Sequence, residues 1–478
     1  MLHTQEILAQ AIGVMMKHFA IYLLTLIIFG SLAKTAFAVE DPRLVPNNKV
    51  GITLLSPDSE IEGASGLVNT NGDWGWVLII IKKSERNVDR WQGVFNQLAK
   101  KRLIPIVRIA TDFDNRGYWQ KPTDEDASSW ADFLNKLYWP TKNHYVQIYN
   151  EVNHSQEWGG KVDASEYAHE LSKTIDALKS KNKDFFVLNA PLDLALQTTP
   201  SSLDAVTFYQ TMGNTRPGVF SKLDGWASHS YPNPGFIASP NAEGRTSIRG
   251  YQWEQNLIAN FTGKTLPVFI TETGWKRQNG QGGGLDENTI AQFYTTAFLN
   301  IWNDKNIVAV TPFVFHFPDD TLGAFSFKAN GGTGEEFFKY YYSIKDLIKE
   351  KGRPVRENLA QNFEFKIPNS LITNMQDRGE ITLENRGNFV WELGKNTNFN
   401  MEAKNAKVSD FKFTSREVYP GQTAQAKFKV KGVKNGKVEI KFKAVSEGTI
   451  LASKNVSLKS EPLLQKIIEA FGVFGNQS

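Results

Sequence analysis

Eight short apolar runs between Lys49 and Phe315, separated by helix-like stretches, constrain this chain more than any other feature. They fall at residues 49–56, 76–83, 104–110, 145–152, 185–191, 224–231, 266–275 and 308–315, and several, such as WVLIIIKK and IPIVRIA, are rich in Val and Ile. Runs of this length without polar alternation suit strands buried on both faces. Between them, residues 87–101 carry Trp91, Val94, Phe95 and Leu98 at helical spacing. Residues 124–138 do the same with Trp130, Phe133, Leu134 and Leu137, and 163–180 with Tyr167, Leu171, Ile175 and Leu178. Residues 287–302 and the stretch around 337–350 complete the helical set. Alternating strands and helices imply parallel pairing through right-handed crossovers. Eight such units predict an α/β fold, a (β/α)8 TIM barrel over 45–352, in preference to an open sheet.

The pattern changes after Gly352 and Pro354. From 360 to 459 apolar and polar residues alternate with period two, and AKFKVKGVKNGKVEIKFKAV puts Phe428 and Val430 on one face and lysines on the other. Asn435-Gly436 between two such runs is a hairpin signal. The segment is expected to form a small all-β, immunoglobulin-like sandwich. The amphipathic tail, 460–478, is expected to dock against the rest of the protein. At the other end, Lys17 and His18 precede an apolar run from Phe19 to Ala38 that closes in Ala36-Phe37-Ala38. This predicts a signal peptide over 1–38, or a membrane tether if uncleaved, and a secreted or extracytoplasmic location.

Composition removes several classes of chemistry. The 478 residues include no cysteine, which excludes disulfides, thiolate-bound metals and a cysteine nucleophile. With 54 basic and 50 acidic residues and no long basic run, no nucleic-acid partner is indicated. Of seven histidines only His229 and His316 sit at strand ends, so neither a metal site nor a cofactor is expected. The adjacent strand-end lysines Lys82 and Lys83 are a poor match to a Schiff-base aldolase.

In a barrel of this type active groups lie at the C-terminal ends of strands. Glu151 closes the fourth run, in YNEVNH, and Glu272 the seventh, in FITETGW. Strands four and seven stand across the mouth from each other, so the phasing predicts two carboxyls in one opening. Paired carboxylates suit glycosidic cleavage: one protonates the leaving oxygen and the other attacks the anomeric carbon, with retention if they lie ~5 Å apart. Trp158, in the loop EWGG, and Trp275 are candidate sugar platforms. Asp112 and Asp114, in TDFDNRGYW, are turn formers before they are ligands.

With Asn150-Glu151 after strand four and Glu272 after strand seven, the chain resembles glycoside hydrolase clan A, and most closely its cellulase-like families 5 and 39. The resemblance spans about residues 45–350. It implies a retaining glycosidase acting on O-glycosidic, by expectation β-, bonds of an oligo- or polysaccharide, with Glu151 as acid/base and Glu272 as nucleophile. It further implies that Asn150 binds the substrate 2-hydroxyl, that Tyr231 of His229-Ser230-Tyr231 steadies the nucleophile, and that His229 lies at the sugar-binding rim. The chain departs from the clan in three places. Val152 follows Asn-Glu where many members have Pro; Arg108, on strand three, stands in for an arginine usually on strand two. Phe315 or His316 would replace the usual strand-eight Trp. The alternative is a carbohydrate-binding cell-surface barrel without catalysis.

Overall fold

Each apolar run forms a parallel strand in the computed structural model, which describes residues 39–278, 283–319, 322–329 and 336–472. The strands are β1 (Gly51–Leu54), β2 (Gly75–Lys82), β3 (Leu103–Ala110), β4 (His144–Ile148), β5 (Phe185–Leu188), β6 (Trp226–His229), β7 (Val268–Glu272) and β8 (Ile307–Val310). Nearly every residue in them is buried, as runs without polar alternation require. β1 to β5 pair in chain order as one parallel sheet, and β6 to β8 as another. Val310 donates to the Lys49 carbonyl at 2.9 Å, which joins β8 to the start of β1. At the other seam backbone pairing is sparse, with the Asp224 amide donating to the Val187 carbonyl at 3.1 Å, and a side chain supplements it. Asn189 accepts from the Ala227 amide at 2.9 Å and donates to the Ala227 carbonyl at 3.1 Å. Strands alternating with helices in this way fit an α/β barrel.

The helices are α1 (Pro57–Asn69), α2 (Val88–Lys100), α3 (Asp126–Leu134), α4 (Ala164–Lys181), α5 (Ala205–Thr215), α6 (Gly250–Thr262), α7 (Glu287–Thr296) and α8 (Lys339–Lys345). Their apolar stripes point inward: α2 buries Trp91, Val94, Phe95 and Leu98. Polar caps start them where the sequence places Asn or Asp. Asn87 accepts from the Arg90 amide and Asp163 from that of Glu166, satisfying amides that helix geometry leaves unpaired. The predicted helix at 287–302 splits, with a π-helical turn at Ala297–Ile301 after α7.

A separate all-β region follows, with two four-stranded sheets. One has the spatial order 406–413, 423–432, 376–385, 360–366; the other 370–372, 449–461, 436–446, 397–404. Between them lies a core that includes Leu371, Ile381, Phe428, Ile440 and Phe442. Trp391 is in this core, its indole donating to Asn358, so it offers no surface for sugar. The region packs on the barrel side through polar contacts: Arg386 donates to the Tyr138 hydroxyl at 2.6 Å, and Lys100 pairs with Glu417 at 2.8 Å. The tail forms α9 (Leu463–Gly472). The docked tail of the sequence analysis needs correction, because Leu463, Leu464, Ile467 and Ile468 stand exposed. The predicted signal or tether segment, 1–38, lies outside the described residues. Among the described residues no helix is long and apolar enough to cross a membrane.

Candidate active site

The strands end before the apolar runs do, and the backbone beyond them is what aims the site residues. β4 stops at Ile148; Tyr149 (φ 67°) and Glu151 (φ 31°) then adopt backbone conformations that L side chains rarely take. Such residues cost of order 1–3 kcal/mol each and persist only where surroundings hold them. Here the Glu151 amide is held by the Pro191 carbonyl at 3.0 Å. Glu272, by contrast, is the last residue of β7.

The two carboxyls line one cleft of about 750 Å³. His229, at the end of β6, links them: its Nδ1 lies 2.7 Å from Glu151 Oε1 and 3.8 Å from Glu272 Oε2. The two oxygens are therefore no farther apart than those distances combined. That reaches only the lower edge of the ~6.5–9.5 Å separation that leaves room for an inverting enzyme's water. His229 Nε2 is buried without a partner, so the ring proton is better placed on Nδ1, where Glu151 accepts it. Burial pushes His229 down to about 4, which keeps the ring neutral at pH 7.

The carboxyls differ in their partners. Glu272 receives Arg108 Nη1 on Oε1 and the Tyr231 hydroxyl on Oε2, each at 3.2 Å. Burial raises its pKa, while His229 and Arg108 oppose the rise and Glu151 and Glu157 add to it. Glu151 contacts the neutral His229, and no cation pairs with it among the described residues. Burial, reinforced by the charge of Asp193, pushes it up to about 7.

Arg108, Asn150, Tyr231 and the two glutamates thus share the cleft, with His229 beneath them. Asn150 hydrogen-bonds the Glu157 carboxyl. Four expectations need correction. Trp158 is 1% exposed, wedged edge-on between Tyr149 and Tyr167 with its indole donating to Glu166. Trp275 is 2% exposed, packed on Tyr294 and bonded to the Ala238 carbonyl. Phe315 packs on Phe337 in the space left by Gly63. His316 lies in the field of Glu60 and does not line the cleft. Asp114 forms a turn, accepting from the Arg116 and Tyr118 amides, whereas Asp112 accepts from Ser84 just after β2.

Several cleft residues escaped the sequence analysis. Glu157 ends the 3-10 turn Ser155–Glu157, and burial pushes it up to about 7. Asp193, five residues past β5, faces His154 at 3.4 Å. The hydrogen bond to Asp193 raises the His154 pKa. Burial opposes ionisation of Asp193, but His154 and the Ala195 amide outweigh it and leave the pKa lowered. The aromatic walls are Trp119 and Phe113 on one side, with rings 3.9 Å apart, and Phe236, Phe313, Phe317 and Phe325 on the other. The signal for Glu157 and Asp193 was their place in loops after strands four and five, where polar residues face the mouth.

No protein-family model and no curated protein sequence matches the chain. Among solved structures it is similar to a family 39 glycoside hydrolase from the gut symbiont Bacteroides cellulosilyticus WH2. That likeness has 11% identity and a TM-score of 0.43, over 81% of this chain and 82% of that one. It is also similar to a β-mannanase from Streptomyces thermolilacinus, with 12% identity and a TM-score of 0.38 over 59% and 83%. A third is a family 51 α-L-arabinofuranosidase from Bifidobacterium longum, with 9% identity and a TM-score of 0.39 over 83% and 98%.

Proposed function

We propose that this chain is a retaining glycoside hydrolase of the clan A type, on a closed (β/α)8 barrel followed by an immunoglobulin-like sandwich. The observation that carries the reading is the contrast between two carboxyls held by one histidine. Glu272, between Arg108 and Tyr231, is the group equipped to stay ionised as a nucleophile. Glu151, pushed up to about 7 by burial, is the group equipped to hold a proton near neutrality.

The reaction proceeds in two displacements. A Glu272 oxygen attacks the anomeric carbon as the bond to the leaving oxygen breaks, and Glu151 gives that oxygen its proton. With Oε1 engaged by His229, the Glu151 proton sits on Oε2. Ionised Glu151 next takes a proton from water, whose oxygen displaces Glu272 from the glycosyl-enzyme and restores both groups. Asn150 is proposed to bind the 2-hydroxyl. The segment 1–38 is read as an export signal or tether, so that the enzyme meets its oligo- or polysaccharide outside the cytoplasm.

A panel of β-linked polysaccharides, with NMR of the newly released reducing end, tests this reading. Release of the β-anomer first, and loss of turnover in Glu272→Ala, are the expected results. First release of the α-anomer, or an active Glu272→Ala, would overturn it.

A further inference from the structure

The all-β region carries 17 of the chain's 54 basic residues, between 360 and 461, against 11 of its 50 acidic ones. The two sheets share this excess, with seven basic and five acidic residues on the strands of one and six and three on those of the other, but they pair their charges differently. In the sheet containing 406–413, 423–432, 376–385 and 360–366, strand pairing sets Lys407 across from Lys431, Arg378 across from Lys429 and Lys412 across from Lys427. Like charges directly opposite each other on a sheet face are destabilising. Lys429 has a carboxylate partner, Asp410 at 2.7 Å. For Lys407, Lys412, Lys427, Lys431 and Arg378 no ion pair is found among the described residues.

The other sheet is built differently. Its outer face sets Glu402 across from Lys441 and Lys404 across from Glu439. Its one like pair, Lys437 and Lys459, has a carboxylate for each member, Glu439 and Glu461. Cations thus face each other at three rungs of the first sheet, relieved by an acid directly opposite only where Glu380 faces Lys427 and Lys366, and at one rung of the second. Protection of a sheet edge does not explain this, because 423–432 and 376–385 are the two central strands.

We propose that this face binds an anionic polysaccharide, one bearing a carboxylate on successive sugars. Lys366, Arg378, Lys412, Lys427 and Lys429 line a groove of about 650 Å³, in which Glu380 and Asp410 are the acids, so cations outnumber carboxylates five to two. The cation rungs repeat every second residue along the strands, roughly 7 Å apart. A row of charges in a groove fits a chain with regularly spaced anions better than the plane of a membrane. The aromatic rings of this sheet, Phe365, Phe411 and Phe428, stack with one another on its inner side. Turned inward, these rings are poorly placed to stack on a nucleobase or on the apolar face of a neutral sugar. The site is independent of the hydrolase reading, since no cleft residue takes part.

The test is binding of the full chain to polygalacturonate, with dextran as the neutral polymer, across a salt series. Lys412→Gln/Lys427→Gln/Lys429→Gln is compared with Lys437→Gln/Lys441→Gln/Lys443→Gln, which removes equal charge from the opposite sheet. The first triple variant is expected to bind roughly tenfold or more weakly with a shallower salt dependence, and the second to bind as wild type. The single Lys431→Gln substitution gives a smaller loss and covers the case in which the triple variant misfolds. Glu272→Ala should bind as wild type whether or not it is catalytically impaired. Equal binding of dextran, equal losses in both triple variants, or tighter capture by duplex DNA or phosphatidylglycerol vesicles would overturn the proposal.

Discussion

The barrel and the all-β region treat charge in opposite ways. The barrel gathers carboxyls into one cleft, where burial pushes Glu151 and Glu157 each up to about 7. The all-β region keeps an apolar interior and spreads its charge over solvated strand faces. Removal from water is expensive for a carboxylate, so each buried one needs a compensating partner or a proton. Charges left in water cost little singly, and what remains is repulsion between neighbours. Effects of substitution should accordingly be large and kinetic in the cleft, and small and additive on the strand faces.

The largest expected effect breaks that comparison at its strongest point. Glu272→Ala should lower kcat by about 10⁴-fold or more, because no other carboxyl in the cleft sits between Arg108 and Tyr231. Steady-state hydrolysis of an activated aryl β-glycoside measures it. A variant that kept a tenth of the activity would remove Glu272 from the chemistry. Glu151→Gln should lose about 10²–10⁴-fold on natural linkages and much less when the leaving group needs no proton. The pH profile carries the sign. Glu151 must be protonated for the first step, so activity on natural linkages should fall as pH rises through about 7. That alkaline limb should vanish from the glycosylation rate of Glu151→Gln.

Much of the arrangement was legible in the sequence, and the parts that were not have a common cause. All eight strands were visible because burial on both faces needs continuous apolar runs. Their ends were overestimated, as at 145–152, where β4 stops at Ile148 and the apolar residues beyond serve loops that pack over the mouth. The two glutamates were found because a polar group at the end of an apolar strand is conspicuous, whereas Arg108 and Tyr231 came from the family resemblance. Trp158, Trp275 and Phe315 were misplaced because composition reveals an aromatic ring but not its direction. An indole packs as well beneath a loop as on top of it. Glu157 and Asp193 were missed because polar loop residues are ordinary, and only backbone turns bring these two to the cleft.

The aromatic residues offer a sharper contrast within the barrel itself. Trp158→Ala empties a packed site and should cost about 3–5 kcal/mol of stability, read as a lower midpoint in denaturant. Phe113, 51% exposed at the cleft wall, should cost under about 0.5 kcal/mol when replaced by Ala. Its loss should instead raise KM for long oligosaccharides while leaving a monosaccharide aryl glycoside unaffected. If Trp158→Ala left stability intact and altered KM, the assignment of the two rings would be reversed.

The smallest effect bears on the all-β region and has an unusual sign. Most substitutions destabilise, yet Lys431→Glu should stabilise the protein by roughly 0.2–1 kcal/mol. Lys431 lies between Lys407 and Gln376, so a carboxylate there trades a repulsion for an attraction and meets no second acid. Lys407→Glu should gain a similar amount for the same reason. The double variant restores two like charges, now negative, and should return to near the starting stability. A coupling energy of that sign in a double-mutant cycle, shrinking as salt rises past the range where exposed charges interact, would show that the face is held against its own repulsion. Additive single effects would mean that Lys407 and Lys431 do not sense each other, and that the face bears no strain for a ligand to relieve.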